Sequence, residues 1–164
     1  MSYERITLIK KSVYDWLYTK IEDSGYVIGE GAGELRFTNA FPEINDLGQY
    51  INLVLPTVSI EFSRDNSRGT VDLGASCVYE IDFDIDIFAR NDLEREGLLS
   101  IIKDAIEKNS IPYIDYNDTV TITPTVGYLR VDNAAGFPVR VETPGDLEKY
   151  RAKVLFTTSL LQDY

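Results

Sequence analysis

The chain has 164 residues, which predicts one domain spanning residues 1–164, and its 27 acidic and 16 basic residues give a formal net charge of −11. It contains no histidine and one cysteine, which excludes Ser-His-Asp and Cys-His catalysis, histidine metal ligands and an intramolecular disulfide. The negative charge argues against a general nucleic-acid-binding protein, which needs a basic surface, but not against a protein past which DNA moves without binding tightly.

The first third of the chain predicts a helix followed by a long connection. Residues 3–22 have helical periodicity, and Gly25 is a good stop signal. The apolar stripe of this helix consists of Ile6, Ile9, Val13, Trp16 and Leu17. Residues 25–50 carry five glycines and no clear periodicity, so we expect an extended loop there, with at most a short strand within residues 33–41.

The middle of the chain predicts two strands and a second helix. Residues 50–63 form the first strand, a turn follows at 64–69, and residues 79–89 alternate strictly between apolar and acidic side chains. A helix is predicted over residues 91–108, because Asn91 can cap it and a glutamate stands three residues later, as in a capping box.

The last third predicts short strands at 111–116 and 119–124, an extended loop at 127–148, and a final strand at 149–161. The order of elements favours the α+β class, with two helices packed on a mainly antiparallel β-sheet and with long loops.

The alternating strand carries a row of carboxylates at every second position. This acidic row consists of Glu80, Asp82, Asp84 and Asp86. It does not match a calcium-binding EF-hand loop, because Ile87 and Leu93 stand where that loop needs glycine and glutamate. Alternate side chains also lie about 7 Å apart along a strand, and nothing in the sequence completes an acid–base site. We therefore predict no metal, no cofactor and no catalytic residue, but a solvated or partner-facing row that Arg151 and Lys153 can face across the sheet.

A glycine-rich stretch at 29–34 (GEGAGE) superficially resembles a phosphate-binding loop. It lacks the third glycine of G-x-G-x-x-G and the Gly-Lys-Ser/Thr ending of a P-loop. A flexible loop is the better interpretation.

A family resemblance appears between Leu55 and Tyr116. The stretch contains LPTVSIEFS, a turn, DLGASCVYEIDFDIDIFAR, the helix NDLEREGLLSIIKDAIEKN and IPYIDYN. This succession resembles the tail-terminator and neck (tail-completion) proteins of tailed bacteriophages. Those proteins show a first helix, an LP-x-strand-DLG hairpin, an alternating strand ending in FA or YA, a helix rich in acidic residues and arginine, and an IP-aromatic-x-D turn.

The resemblance implies a non-enzymatic structural protein of the virion tail or neck. It implies a homo-oligomeric ring, usually a hexamer, that caps the tail tube and joins it to the head–tail connector protein. The partners would be other copies of the chain, the tail tube or sheath protein, and the connector. Assembly would take place in the host cytoplasm, and no membrane is involved, since no apolar run of the sequence approaches the ~20 residues of a membrane span.

Two site hypotheses follow from this resemblance. Glu80, Asp82, Asp84 and Asp86 would line the lumen or a seam between subunits, where carboxylates repel DNA phosphates and let DNA pass without tight binding. Glu30, Arg36 and Arg140 are candidates for contacts between rings, because they lie in the predicted long loops.

Two alternatives stay open. One is a head–tail adaptor or stopper ring protein, with twelve copies or with a different neighbour. The other, from a different class, is a small acidic metal- or ligand-binding domain or a carboxylate-dependent enzyme.

Overall fold

The computed structural model describes residues 2–65, 68–71, 76–108, 110–116, 125–141 and 147–163. Within those ranges the helices are α1 (Ser2–Asp23) and α2 (Asp92–Lys108). The strands of the same ranges are β1 (Arg36–Thr38), β2 (Thr57–Asp65), β3 (Arg68–Val71), β4 (Ser76–Phe88), β5 (Ile111–Ile114), β6 (Thr125–Pro138) and β7 (Arg151–Asp163).

The strands form one curled sheet in the order β1-β2-β4-β7-β6-β5, and β3 pairs with β4 beyond the end of β2. β1 and β2 are parallel, whereas the other described pairs are antiparallel. Both helices pack on one face of the sheet. The predicted α+β class with a mainly antiparallel sheet is confirmed. The predicted turn at 64–69 is wrong at residues 64–65 and 68–69, which belong to β2 and β3, and both of these strands run antiparallel to β4.

Alternate residues of β4 and β7 build the face that the helices cover. Ile81, Ile85 and Ile87 are fully buried there, and Phe83 stacks on Phe156 with ring centroids 5.1 Å apart. The helices contribute the buried stripes Ile9, Val13, Trp16 and Leu17 of α1 and Leu98, Ile102 and Ile106 of α2. Truncating one such isoleucine to alanine costs roughly 2–5 kcal/mol, so this layer dominates the stability of the fold.

Both edges of the sheet reach α1, which explains its curl. At one edge the ring of Phe37 lies 4.7 Å from the ring of Tyr14, centroid to centroid. At the other edge the backbone N–H of Ile114 donates to the buried Ser12 hydroxyl at 3.0 Å. Because α1 contacts the strands at both edges of the sheet, the sheet curls around this helix. The face that points away from the helices carries the polar side chains.

α2 begins at the cap that the sequence predicts. The side-chain oxygen of Asn91 accepts the Glu94 N–H at 2.9 Å, and the Glu94 carboxylate accepts the Arg90 N–H at 2.8 Å. The glutamate thus reaches one residue further back than in a standard capping box. Burial acts to raise the pKa of Glu94, but hydrogen bonds from the Arg90 side chain and backbone outweigh it and hold this pKa below its usual value.

The predicted extended loop at 127–148 is wrong over residues 127–138, which belong to β6. Gly136 suggested a loop, but it lies under α2, where a Cβ atom would stand 3.1 Å from the Leu99 Cδ1 atom. Asn133 has a φ of 56° at the irregularity between Asp132 and Ala135, where an extra residue interrupts the pairing with β7. The polar and glycine-containing sequence therefore marks a bulged strand and a close helix contact.

Other element boundaries differ by a few residues. Residues 50–56 are not part of a strand, and β2 begins directly after Pro56, which has no N–H for a ladder. The short strand predicted at 119–124 lies outside the described residues. None of the helices in the described ranges is long and apolar enough to cross a membrane.

Candidate functional site

The acidic row lies on the face of the sheet opposite the helices, hereafter the second face. The register places Lys153 of β7 opposite Asp86, Thr157 opposite Asp82, and Ser159 opposite Glu80. The second face therefore brings all four predicted carboxylates together along β4, with the charged and hydroxyl side chains of β7 beside them.

Asp86 forms a buried ion pair at one end of the row. Its Oδ1 atom accepts from Arg151 Nη2 at 2.6 Å and from Arg151 Nε at 3.0 Å. The Asp86 side chain is only 3% exposed and that of Arg151 is 18% exposed. Lys153 Nζ lies 3.1 Å from Asp84, and both side chains are 27% exposed. The prediction that Arg151 and Lys153 face the row is confirmed. The prediction of a solvated row is wrong at Asp86, which is buried in its ion pair with Arg151.

The other end of the row is open. The Thr157 hydroxyl donates to Asp82 at 2.7 Å, and Arg130 Nε pairs with Asp132 at 3.0 Å. Together with Glu80 these residues line a groove of about 980 Å³. Among the described residues that line this groove, three are carboxylates and one is basic.

A loop formed by residues 39–56 covers the neutralised end. Phe88, which interrupts the acidic row, is fully buried there, with ring centroids 5.7 Å from Phe41 and 5.4 Å from Tyr50. The Arg151 guanidinium lies 5.1 Å from the Phe41 ring centroid and 5.2 Å from that of Phe88, so the ion pair and the aromatic cluster hold the loop together. The Tyr50 hydroxyl donates a hydrogen bond to the Glu148 carboxylate. Burial raises the pKa of Tyr50 above its ordinary value, and this hydrogen bond raises it further.

Residues 43–51 of this loop form an ordered projection, hereafter the tip. The Asn45 side-chain oxygen accepts the N–H groups of Leu47 and Gln49 at 3.0 and 2.9 Å, and Gly48, with a φ of 75°, donates to the Asn45 carbonyl at 2.9 Å. Leu47 stands at the end of the tip, 82% exposed. The sequence analysis did not predict this turn. Asn45 and Gly48 are nevertheless residue types that favour turns.

A second groove of about 530 Å³ lies between α1 and β2, hereafter the α1–β2 groove. Ile60, Phe62 and Phe83 give it an apolar wall, and the Lys10 ammonium lies 3.5 Å from the Phe62 ring centroid. Asp15 also lines the groove, where it pairs with a neighbouring lysine of α1.

The three residues predicted to contact other rings lie in different settings. Glu30 is exposed in the turn before β1, and Arg140 is exposed just after β6. Arg36 belongs to β1, so its assignment to a loop is wrong, and its Nε atom is buried without a hydrogen-bond partner among the described residues. No role for any of the three follows from this placement.

No metal-binding cluster appears in the part of the chain that the structure describes. Within it, no group of three or more aspartate, glutamate, cysteine or histidine side chains is placed to hold a metal ion. The chemistry available on the second face is ion pairing and hydrogen bonding, which suits contacts with other macromolecules.

Comparison with protein-family models gives no match for this chain, and comparison with curated protein sequences gives none either.

Proposed function

We propose that this chain is a structural protein of the tail or neck of a tailed bacteriophage, a tail terminator that forms a six-membered ring. The ring closes the end of the tail tube and joins it to the head connector. The observation that carries the proposal is the succession of elements between Leu55 and Tyr116. It corresponds to β2, β3, β4, α2 and β5, and residues of β2, β4, α2 and β5 share one core with α1.

The uneven charge of the second face supports a narrower role for the acidic row. Asp84 and Asp86 are paired with basic side chains of β7, so they contribute little net charge to the surface. Glu80 and Asp82 line the groove at the other end of the row, whose described lining contains three carboxylates and one basic side chain. We assign Glu80 and Asp82 to the lumen or to a seam between subunits. Their repulsion of phosphates would extend over about 8 Å at physiological ionic strength, which keeps DNA mobile.

Disruption of the gene in the phage that encodes it tests the proposal. We expect a lysate of filled heads and separate tails, seen by electron microscopy, and infectious particles again when the wild-type chain is supplied. Normal joined particles from the disrupted phage would overturn the proposal.

The matched pair E80K/D82K and D84N/D86N separates the two halves of the row. The first should join heads to tails but impair DNA ejection, whereas the second should lower the amount of folded protein.

A further inference from the structure

The tip is built to present an apolar side chain to another molecule. Its turn is fixed by the Asn45 side chain and closed by the hydrogen bond from the Ile51 N–H to the Glu43 carbonyl at 2.7 Å. Leu47 is exposed at its end, and Glu43 and Asp46, which precede it in the tip, are exposed as well. A rigid turn loses little conformational entropy on binding, so a leucine held in this way is a better contact residue than one on a mobile chain.

The α1–β2 groove has an apolar wall that can receive an apolar side chain such as Leu47. β1 pairs with β2 only as far as Ser59, so among the described residues nothing pairs with the outer edge of β2 from Ile60 onward. The groove begins at that point and contains the Phe62 ring, which is 37% exposed. Above this ring lies the ammonium of Lys10, for which the described residues provide no carboxylate partner. Two basic and two acidic residues line the groove, so its charges balance. Lys11 pairs with Asp15, and the Glu61 carboxylate accepts the Phe41 N–H at 2.8 Å. This leaves Lys10 as the cation of the described lining that an incoming carboxylate can pair with, beside an apolar wall that fits a leucine preceded by an acid.

We propose that the tip of one copy of this chain docks into the α1–β2 groove of the next copy. Leu47 packs against Phe62 and Ile60, and the Asp46 carboxylate pairs with the Lys10 ammonium. The occupant is a second copy because the tip and the groove of one sequence complement each other in both apolar character and charge. The assignment deepens the proposed function and rests on it, since it names the contact between neighbours in the ring.

Docking of the tip into the groove joins two different surfaces, whereas a two-fold contact uses the same surface on both copies. Each copy in such a chain of contacts uses its tip on one neighbour and its groove on the other, and this head-to-tail arrangement gives a ring when the rotation between neighbours closes. A copy with a damaged tip still has an intact groove, and a copy with a damaged groove still has an intact tip. These two defective copies can therefore form one interface with each other and no further one.

Native mass spectrometry of the full-length chain and three variants tests the proposal. L47D damages the tip and K10E damages the groove, and we expect each alone to be monomeric while the wild type forms a ring. A 1:1 mixture of the two variants should give a dimer of twice the 18.6 kDa chain mass and nothing larger. The control is L93D, which changes a leucine that is 85% exposed at the start of α2 and should leave the ring intact. The dimer in the mixture also demonstrates that both variants are folded.

Three results would overturn the proposal. In the first, L47D and K10E still form the same ring as the wild type. In the second, the mixture of the two variants stays monomeric. In the third, the wild-type chain is monomeric even at about 1 mM, the limit of a very weak interface. The proposed function fails separately, because it falls if a phage without the gene joins heads to tails, whatever the variants do. A ring that persists in both variants would move the interface elsewhere and leave the proposed function standing.

Discussion

Replacing Asp86 by asparagine should destabilise the fold strongly, although the residue belongs to a row that the sequence presents as surface. The substitution keeps the size of the side chain and removes its charge. It leaves the Arg151 guanidinium, held 2.6 Å away and only 18% exposed, without its counter-ion. Lys153 Nζ lies 3.9 Å from Asp86, so a second cation also loses part of its attraction to the site.

The burial of the Asp86–Arg151 ion pair determines how much stability D86N should lose. Breaking a buried ion pair by removing one partner costs about 3–5 kcal/mol, because a charge is left uncompensated in a poorly solvated place. We expect the lower end, about 3 kcal/mol, since the Arg151 guanidinium also lies against the Phe41 and Phe88 rings and keeps those contacts. The matched control is D84N, two residues along the same strand. Asp84 and its partner are each 27% exposed, so the loss should be about 0.5–1 kcal/mol.

Urea unfolding of the wild type, D86N and D84N at one fixed protein concentration measures both losses, since the stability of an oligomer depends on concentration. The double variant D86N/R151M should recover part of the loss, because methionine can pack between the two rings without a charge. Losses for D86N and D84N that agree within about 0.5 kcal/mol would refute the claim that the Asp86–Arg151 pair is a buried structural ion pair that contributes more to stability than the more exposed Asp84–Lys153 pair.

The remaining predictions concern the loop, the cap and metal ions. The folded-state pKa of Tyr50 is raised, so its contribution to stability is complete below the ordinary tyrosine pKa of about 10 and is lost as the pH rises above it. The wild type should therefore lose stability between about pH 10 and 11 more steeply than Y50F, as measured by urea unfolding, and equal slopes would contradict this. N91A should lower the free energy of unfolding by about 1 kcal/mol through loss of the cap of α2, measured in the same way, and no change would exclude a role for the cap. Calorimetric titration with Ca²⁺ or Mg²⁺ should release no heat and leave the Tm unchanged, whereas a saturable signal would favour the metal-binding alternative.

Local periodicity was sufficient to predict the helices and the central strand. The alternation from Tyr79 to Ala89 predicts which side chains of β4 are buried, and Tyr79, Ile81, Phe83, Ile85 and Ile87 lie on the covered face. The stripe of α1 and the capping residue of α2 follow from the same short-range rules. These features depend on neighbours within one or two turns or on a two-residue repeat, which a sequence displays directly.

Features that depend on distant parts of the chain could not be predicted. The interruption of the acidic row at Phe88 is explained by Phe41 and Tyr50, which arrive from a loop some 40 residues earlier in the chain. β6 has mostly exposed side chains, so it lacks the alternation that marks a half-buried strand, and its glycine serves a contact with α2. The four carboxylates look equivalent in the sequence, and only the register with β7 shows that Asp84 and Asp86 lie beside Arg151 and Lys153, whereas Glu80 and Asp82 lie beside hydroxyl side chains.

The native mass of the wild-type chain tests the central claim most directly, because a protein that works by forming a ring must be able to associate with itself. The account predicts an assembly of six copies of the 18.6 kDa chain, and electron microscopy should show a central channel in it. A closed two-fold dimer, or a chain that forms no ring either alone at up to about 1 mM or on isolated tail tubes, would contradict it.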